Sequence, residues 1–190
     1  MRAGFPQKTK AHGAKHLAAR DQALLWVLFD TGITVSELCA LHLADLDQHT
    51  GVLRVRGKGG KERQMPLGAT CLSHLRAYLK QMEPTTKRGL ARRQAGGDML
   101  FASQGKQPLT RNGVTMVFAR LRTRAGISDT TMSPQNLRHS FALRYLQAGG
   151  NPRGLQALLG YGGMAPVRQY LHWQDQLFHN QTQNKSEETG

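Results

Sequence analysis

Apolar residues recur at intervals of three and four over most of the chain, the spacing that is typical of amphipathic helices. Leu24, Leu25 and Leu28 show this spacing in the first such stretch. The pattern predicts helices over residues 20–31, 34–43, 70–82, 110–125, 152–159 and 167–173, with one more that begins at Ser133. Apolar and polar residues alternate over 51–56, which predicts a β-strand. A partner strand is expected over 61–67, so that the two segments form a β-hairpin.

Start and stop signals mark the ends of several of these helices. Gly32 follows the first helix, and glycine readily adopts the left-handed conformation that ends a helix. The run from Thr34 to Glu37 (TVSE) fits a capping box, in which each of the two side chains accepts a hydrogen bond from the other residue's backbone N–H. Ser133 followed by Pro134 marks another helix start, because serine caps well and proline suits the first turn.

The chain carries a large excess of positive charge. It has 190 residues, with 26 Lys and Arg against 12 Asp and Glu, which gives a formal charge of +14. This excess is larger than solubility requires and favours a polyanionic partner, of which nucleic acid is the commonest. Hydrophobic residues make up 39% of the chain, which is enough for one domain with a sizeable core.

Several features favour a cytoplasmic protein. The sequence has no apolar run of about 18 residues, the length of a membrane span. Residues 1–16 lack the apolar core of a signal peptide. Cys39 and Cys71 lie in expected helices and fit buried free thiols in a reducing compartment. The histidines show no metal-ligand spacing with these cysteines.

Composition divides the chain into three parts. Residues 1–16 are basic and irregular, and we expect an arm or linker that suits contact with a phosphate backbone. Residues 17–173 are expected to form the folded domain, interrupted by a Gly- and Arg-rich loop over 83–98. Residues 174–190 are polar and are expected to be disordered, apart from a short helix anchored by Leu177 and Phe178.

Residues 133–173 carry the most informative pair of side chains, with Arg138 near the start and Tyr170 near the end. An arginine that holds a phosphate beside a tyrosine with an accessible hydroxyl suits phosphoryl transfer to a tyrosine nucleophile. The alternative for Tyr170 is a half-buried core position, which is the commonest environment of tyrosine. Sequence spacing alone leaves both alternatives open.

The sequence between Arg20 and Trp173 resembles the tyrosine recombinases, the phage integrase family, of the Xer type. LRHSFA resembles the second-arginine motif, LQALLGYGG the turn that usually ends in Gly-His, and QYLHW the nucleophile motif. Upstream, DTGITVSELCALHLADLD and VLRVRGKGGKERQMPLG resemble the other two blocks, in the family's order, which is more specific than one short motif. The resemblance implies an α+β, mainly helical catalytic core of about seven to eight helices with a small antiparallel β-hairpin or three-stranded sheet.

The resemblance assigns chemistry to three residues. Tyr170 is the implied nucleophile, which attacks a DNA phosphate and forms a 3′-phosphotyrosyl link that conserves the bond energy without ATP. Arg138 is implied to hold the non-bridging oxygens. Lys58, at the hairpin tip, is implied to protonate the leaving 5′ oxygen. The resemblance implies no metal and no other cofactor.

Three positions depart from the family pattern. Thr34 stands where the family has its first catalytic arginine and carries no positive charge. Gln135 replaces the general-base histidine, and an amide carries no proton at neutral pH. Tyr161 replaces the usual histidine or tryptophan, and its hydroxyl suits a hydrogen bond to a phosphate oxygen. His139 is one residue beyond Arg138, so we expect it to point elsewhere on the helix and to pack structurally against a neighbouring helix.

Further basic and polar residues are candidates for DNA contact. They are Arg54, Arg56, Lys61 and Arg63 on the hairpin, and Arg111 and Asn112 at the start of the helix over 110–125. The hairpin residues are expected to form a basic ribbon. At the helix start, a phosphate contact and an ordinary surface helix end fit equally well.

Two functions fit these observations. The first is the catalytic domain of a site-specific DNA recombinase or integrase with weakened activity, since Lys58, Arg138 and Tyr170 are retained. The second is a DNA-binding relative without catalysis, an accessory or regulatory protein of a mobile element. In both, double-stranded DNA is the expected partner. The resemblance also implies that the C-terminal tail mediates self-association on DNA, as a dimer to a tetramer.

Overall fold

The protein is described by a computed structural model that covers residues 8–82, 98–103, 107–128 and 131–187, without the side chains of 8–16, 58 and 178–187. These ranges contain seven α-helices and a three-stranded antiparallel sheet. The helices are α1 (Lys8–Thr31), α2 (Val35–Cys39), α3 (Ala69–Met82), α4 (Arg111–Ala125), α5 (Pro134–Gln147), α6 (Pro152–Leu159) and α7 (Ala165–Glu187). The strands are β1 (Leu46–Asp47), β2 (Val52–Arg56) and β3 (Glu62–Pro66). The expected mainly helical α+β fold is confirmed.

Both terminal helices are longer than expected. Helix α1 begins at Lys8, within the segment for which we expected irregular structure, and α7 continues to Glu187, where we expected disorder after a short helix. Extending an existing helix adds one hydrogen bond for each residue that is fixed, without a new nucleation cost. Polar sequences next to a packed helix therefore become helical although they would not form a helix alone.

Helix α2 is shorter than expected, because the chain leaves it to pair with another segment. The helix ends at Cys39, and the Leu41 carbonyl then accepts a hydrogen bond from the Leu100 backbone N–H at 2.7 Å. Both leucine side chains are buried in the same core. The Gly- and Arg-rich loop lies outside the described residues from 83 to 97.

The sheet has the order β1-β2-β3, and the expected β-hairpin is formed by β2 and β3. Leu53 and Val55 are fully buried, whereas Arg54 between them is exposed, so the alternation in sequence becomes an alternation of faces. Gly59 and Gly60 have φ angles of 75° and 74° at the tip of the hairpin. A side chain at these two positions would be strained, which explains the glycines in the turn.

The hydrophobic interior consists of two clusters. The larger joins α1, α2, the sheet, α3 and α4, and includes the fully buried rings of Tyr78, Phe101 and Phe118. The smaller joins α5, α6 and α7 through Ala142, Leu146, Leu155, Leu159, Val167 and Tyr170. Phe141 packs against both clusters. The smaller cluster contains the tyrosine that the sequence singles out, so its packing fixes where that hydroxyl lies.

Both cysteines are free thiols. Cys71 is buried, and burial raises the pKa of its thiol to about 12, so this thiol is neutral. Cys39 is only half-buried, and the expectation of two buried thiols is therefore wrong for this residue. Within the described ranges, no helix has the length and apolar character needed to cross a bilayer. No three His, Cys, Asp or Glu side chains gather into a metal-binding group in the same part of the chain.

Candidate active site

Arg138 is a buried arginine on α5 whose guanidinium is held by two backbone carbonyls. It is 6% exposed, and its Nη1 and Nη2 donate hydrogen bonds to Gly32 O at 2.7 Å and to Leu159 O at 2.8 Å. Its Nε donates to the Tyr161 hydroxyl at 3.4 Å. A guanidinium has five N–H groups, so these three contacts leave two for a ligand. The arrangement suits a fixed group that binds an anion.

Gly32 is the backbone position that makes one of these contacts possible. It has a φ of 61°, a conformation that favours glycine, and its N–H donates to Leu28 O to end α1 as expected. A Cβ atom at this position would lie 2.6 Å from the ring of Phe141. Glycine thus allows α1 and α5 to approach closely enough for Arg138 to reach the carbonyl.

The hydroxyl of Tyr170 lies inside a chain of polar groups, although the residue belongs to the hydrophobic core. The side chain is 3% exposed, and its Oη is 3.2 Å from the Tyr161 Oη. Because Tyr161 also contacts Arg138, it joins the candidate nucleophile to the candidate phosphate ligand. Tyr170 can therefore be both a residue of the hydrophobic core and a candidate nucleophile.

The environment of Tyr170 keeps its phenol neutral. Burial raises the pKa of this hydroxyl well above its ordinary value. The positive charge of Arg138 lowers the pKa by less than burial raises it. A phenol attacks phosphorus well only as it loses its proton, so Tyr170 requires a neighbouring proton acceptor.

His139 packs against α7, as expected, but it does not point away from Tyr170. Its ring lies edge-on to Trp173 with centroids 5.2 Å apart, and its Nδ1 is 3.0 Å from the Tyr170 Oη. Its other nitrogen, Nε2, is 3.3 Å from the Gln135 Nε2. Residues four apart share a helix face, so the spacing of Gln135 and His139 was a signal for this contact.

Thr34 serves as the N-cap of α2 and is exposed. Its Oγ1 accepts a hydrogen bond from the Glu37 N–H at 3.2 Å, and its N–H donates to the Glu37 Oε2 at 2.8 Å. The predicted capping box is confirmed. The Thr34 hydroxyl also donates to the Glu37 Oε2 at 2.9 Å, so both of its hydrogen-bonding functions are used within the cap.

Replacing Thr34 by alanine is expected to lower the free energy of unfolding by about 1 kcal/mol, because the alanine lacks the capping oxygen. Thr34→Ser keeps the hydroxyl and should remain close to the native stability. Urea denaturation of the three proteins measures the difference. Equal losses in the alanine and serine variants would show that the β-methyl group, rather than the cap, stabilises this helix.

Arg63 does not lie on the surface of the basic ribbon, which corrects our expectation for this residue. Its side chain is 12% exposed, its Nη1 lies 2.6 Å from the Glu37 Oε1, and its Nε donates to Leu158 O at 2.6 Å. These contacts join β3 to α2 and α6, so Arg63 supports the backbone next to the carbonyl that holds Arg138. Its Nη2 is buried without a hydrogen-bond partner among the described residues.

The remaining candidates for DNA contact lie at the surface where the structure describes them. Arg54 and Lys61 on the hairpin are exposed, as are Arg111 and Asn112 at the start of α4. Arg56 is half-exposed and lies 2.8 Å from Glu62 and 3.1 Å from Asp45 across ion pairs. The side chain of Lys58 lies outside the described residues. The contact of these residues with DNA stays a prediction.

Known proteins are similar to this chain in both sequence and fold. A model of the phage integrase family matches residues 7–176. The chain is 36% identical over 156 residues to the tyrosine recombinase XerD of Listeria monocytogenes serotype 4b (strain F2365), covering 82% of this chain and 51% of the relative. It is 36% identical over 165 residues to the tyrosine recombinase XerC of Mycobacterium leprae, covering 87% and 54%. The chain therefore spans about half the length of the curated relatives it matches.

Solved structures agree with this result. The crystal structure of XerA recombinase matches with a TM-score of 0.73 at 26% identity, over 97% of this chain and 66% of that chain. XerH site-specific recombinase, bound to its palindromic difH substrate, matches in fold with a TM-score of 0.67 at 22% identity, over 95% of this chain and 52% of that chain. The expected recombinase fold is confirmed, and the family match over residues 7–176 shows that the chain belongs to the phage integrase family.

Proposed function

We propose that this chain is the catalytic domain of a site-specific DNA recombinase, which breaks and rejoins duplex DNA through Tyr170. One observation carries the proposal. The Tyr170 hydroxyl is joined through Tyr161 to the guanidinium of Arg138, so a nucleophile and an anion ligand occupy one site. The similarity to relatives named as tyrosine recombinases supports the same activity.

The residues present suit each part of the reaction. The Tyr170 oxygen attacks a DNA phosphorus and forms the new O–P bond of a 3′-phosphotyrosyl link. The two remaining N–H groups of Arg138 hold the non-bridging oxygens as negative charge develops. The P–O5′ bond breaks, and Lys58 protonates the leaving oxygen. Attack by the 5′-hydroxyl of a second strand reverses these steps and releases Tyr170.

Double-stranded DNA is the proposed substrate. The formal charge of +14 and the exposed side chains of Arg54, Lys61, Arg111 and Asn112 support binding to a phosphate backbone. XerH site-specific recombinase has been solved bound to a palindromic difH substrate in a post-cleavage complex. We also propose that residues 174–190 mediate self-association on DNA, and the extension of α7 to Glu187 supplies a helix for that contact.

The second candidate function is DNA binding without catalysis, as an accessory or regulatory protein of a mobile element. The observation that favours it is the use of the Thr34 hydroxyl within the helix cap, at the position where the family has its first arginine. Removing one charged donor of this kind costs a rate factor of about 10²–10³. A site that lacks it is expected to be slow, and DNA binding is expected to persist in either case.

A covalent trap tests the two candidates. Duplexes are first selected for binding from a random pool at low salt, then resynthesised with a nick so that a short strand diffuses away after cleavage. We expect the native chain to form a protein–DNA adduct that survives denaturing electrophoresis and accumulates over hours. Tyr170→Phe should form none. Tyr145→Phe on α5 is the matched control and should form as much as the native chain.

The outcomes separate the alternatives. If the native chain forms no adduct on a duplex that it binds, the non-catalytic function is correct. If Tyr170→Phe still forms an adduct, another residue is the nucleophile and the proposed role of Tyr170 is wrong.

A further inference from the structure

The contact between His139 and Tyr170 fills a gap in the proposed reaction. Tyr170 is a neutral phenol and must lose its proton as it attacks. Gln135, at the family's histidine position, is an amide and takes no proton at neutral pH. The His139 Nδ1 lies 3.0 Å from the Tyr170 Oη, within the reach of direct proton transfer.

We propose that His139 takes the proton of Tyr170 during attack, and that Gln135 positions the His139 ring and sets which nitrogen is free. The inference rests on the proposed function of Tyr170. It makes His139 a catalytic residue, because the imidazole touches the reacting oxygen, and Gln135 a positioning residue, because the amide acts through the imidazole.

The hydrogen-bond chain through the site has a direction that supports this role. The Arg138 Nε can only donate, so the Tyr161 Oη accepts from it and retains its own hydrogen for the Tyr170 Oη, 3.2 Å away. The Tyr170 hydrogen is then available to the His139 Nδ1. A positive group at the donor end polarises such a chain and makes its last hydroxyl a better donor.

Gln135 controls whether His139 can accept this proton. A neutral imidazole has one N–H donor and one acceptor nitrogen. A half-turn of the Gln135 amide presents its oxygen to the His139 Nε2 in place of its NH₂ group, over the same contact of 3.3 Å. The oxygen accepts the Nε2 hydrogen and leaves Nδ1 free to accept from Tyr170. The orientation that the structure shows, with the NH₂ group towards Nε2, puts the hydrogen on Nδ1, where it would donate to Tyr170 instead.

The charges around His139 favour the neutral imidazole that a base needs. Burial lowers the pKa of His139 below its ordinary value, and the positive charge of Arg138 lowers it further. The groups that face the ring from α7 are the neutral Tyr170 phenol and the Trp173 ring. Tyr161 faces it through Tyr170, and Gln135 from α5 is uncharged. His139 is therefore neutral near pH 7, and it gains a proton only at more acidic pH.

The proton transfer balances over one cycle. As the Tyr170 O–P bond forms, the Tyr170 O–H bond breaks and its hydrogen moves to the His139 Nδ1 to give an imidazolium. The P–O5′ bond breaks at the same phosphorus, and the leaving oxygen gains the proton of Lys58. In rejoining, the 5′-hydroxyl of the second strand gives its proton to the Lys58 amine and forms a new P–O5′ bond. The phosphotyrosyl bond breaks at the same phosphorus, and the imidazolium returns its proton to the Tyr170 oxygen. No electron transfer and no further reactant is needed.

His139→Asn tests the base. Asparagine offers a hydrogen-bonding atom near the place of Nδ1 without the basicity of imidazole. We expect the rate of adduct formation on the trapping duplex to fall by about 10²-fold or more, with DNA affinity unchanged. His172→Asn is the matched control, because His172 forms a similar pair with Gln176 at 3.1 Å on the exposed part of α7. It should react at the native rate.

Gln135 variants test the positioning role. Gln135→Leu removes the acceptor for the Nε2 hydrogen and should slow adduct formation by about tenfold. Gln135→Glu restores an acceptor and should recover the rate. Its carboxylate also raises the pKa of His139. The acidic limb of the pH–rate profile, about tenfold per pH unit, should therefore move to higher pH, which a purely structural residue would not cause.

A second measurement does not depend on the reaction. Nitrogen-15 NMR of the native chain reports which His139 nitrogen carries the hydrogen at neutral pH, and the His139→Asn spectrum assigns the signal. We expect the hydrogen on Nε2. A hydrogen on Nδ1 overturns the proposal, whether or not an adduct forms. A rate of adduct formation in His139→Asn within twofold of the native rate also overturns the proposed base. That result would not affect the proposed role of Tyr170 as the nucleophile. If the native chain forms no adduct, the proposed recombinase function is wrong, and the proposed role of His139 as a base is wrong with it.

Discussion

Arg138→Ala is expected to lower the rate of covalent adduct formation by about 10²–10³-fold. The native guanidinium is fixed by Gly32 O and Leu159 O, and its Nε is linked to Tyr170 through the Tyr161 hydroxyl. Alanine removes the charge that we propose stabilises the pentavalent phosphorus, and it also removes the polarising end of that chain. The measurement is the single-turnover rate of adduct formation on the trapping duplex.

Two variants distinguish geometry from charge at this site. Arg138→Lys keeps the positive charge, but one ammonium group cannot contact two carbonyls, Tyr161 and a phosphate in the planar arrangement of a guanidinium. We expect it to recover little of the rate. Arg168→Ala removes an exposed arginine from α7 and should leave the rate near native. If Arg138→Lys reacts as fast as the native chain, Arg138 acts only as a diffuse charge and its fixed geometry is irrelevant.

Features with a local cause could be predicted from the sequence. The capping residues Thr34, Thr110, Ser133 and Asn151 each accept a hydrogen bond from the backbone N–H three residues later. These contacts involve neighbours in sequence, so residue type and spacing are sufficient to predict them. The alternation of β2 was predictable for the same reason, because a strand has a fixed period of two.

Contacts between distant segments could not be predicted in this way. Arg63 lies in a run of basic residues on an exposed hairpin, yet it is buried because Glu37 and Leu158 O, from two other elements, converge on it. His139 is separated from Tyr170 by 31 residues, and its contact depends on how α7 packs on α5. The sequence shows which residues are polar or charged. The packing of helices decides which of them meet.

The same limit applies to the departures from the family pattern. In the sequence, Thr34, Gln135 and Tyr161 are three separate departures from the family pattern. In the structure, Tyr161 joins Arg138 to Tyr170, and Gln135 contacts His139, which in turn contacts Tyr170. Two of the three substituted residues therefore lie in one hydrogen-bonded group around the candidate nucleophile. Thr34 is not part of this group, because its hydroxyl is hydrogen-bonded within its own helix cap.

Glu37→Ala is expected to lower the free energy of unfolding by about 3–4 kcal/mol. This is the largest effect on stability among the substitutions proposed for this protein. Two losses combine. The Thr34 cap loses its reciprocal carboxylate, which contributes about 1 kcal/mol. Arg63 is left charged and largely buried without its ion-pair partner, and breaking one side of such a pair costs about 3 kcal/mol. Equilibrium urea denaturation near neutral pH measures the change.

The pH dependence identifies the carboxylate as the origin of this stability. Burial raises the pKa of Glu37, but the Arg63 hydrogen bond, the Thr34 backbone N–H and the Arg63 charge lower it by more, so the net shift is downward from 4.5. A carboxyl group with a lowered folded-state pKa stabilises the protein above its unfolded-state pKa and loses that contribution as the pH falls through the folded-state value. The stability difference between the native chain and Glu37→Gln should therefore be complete at neutral pH and should shrink below pH 4.5.

A double-mutant cycle separates the ion pair from the cap. Arg63→Met keeps most of the side-chain volume and removes the charge, and in the Glu37→Gln background it should cost much less than in the native chain. We expect a coupling energy of about 1–3 kcal/mol, since residues in direct contact are not additive. Thr34→Ala in the Arg63→Met background should still cost about 1 kcal/mol, because the cap does not need the arginine. Additive effects of Glu37→Gln and Arg63→Met would show that the 2.6 Å contact contributes no net stability, and that the cap alone holds α2 in place.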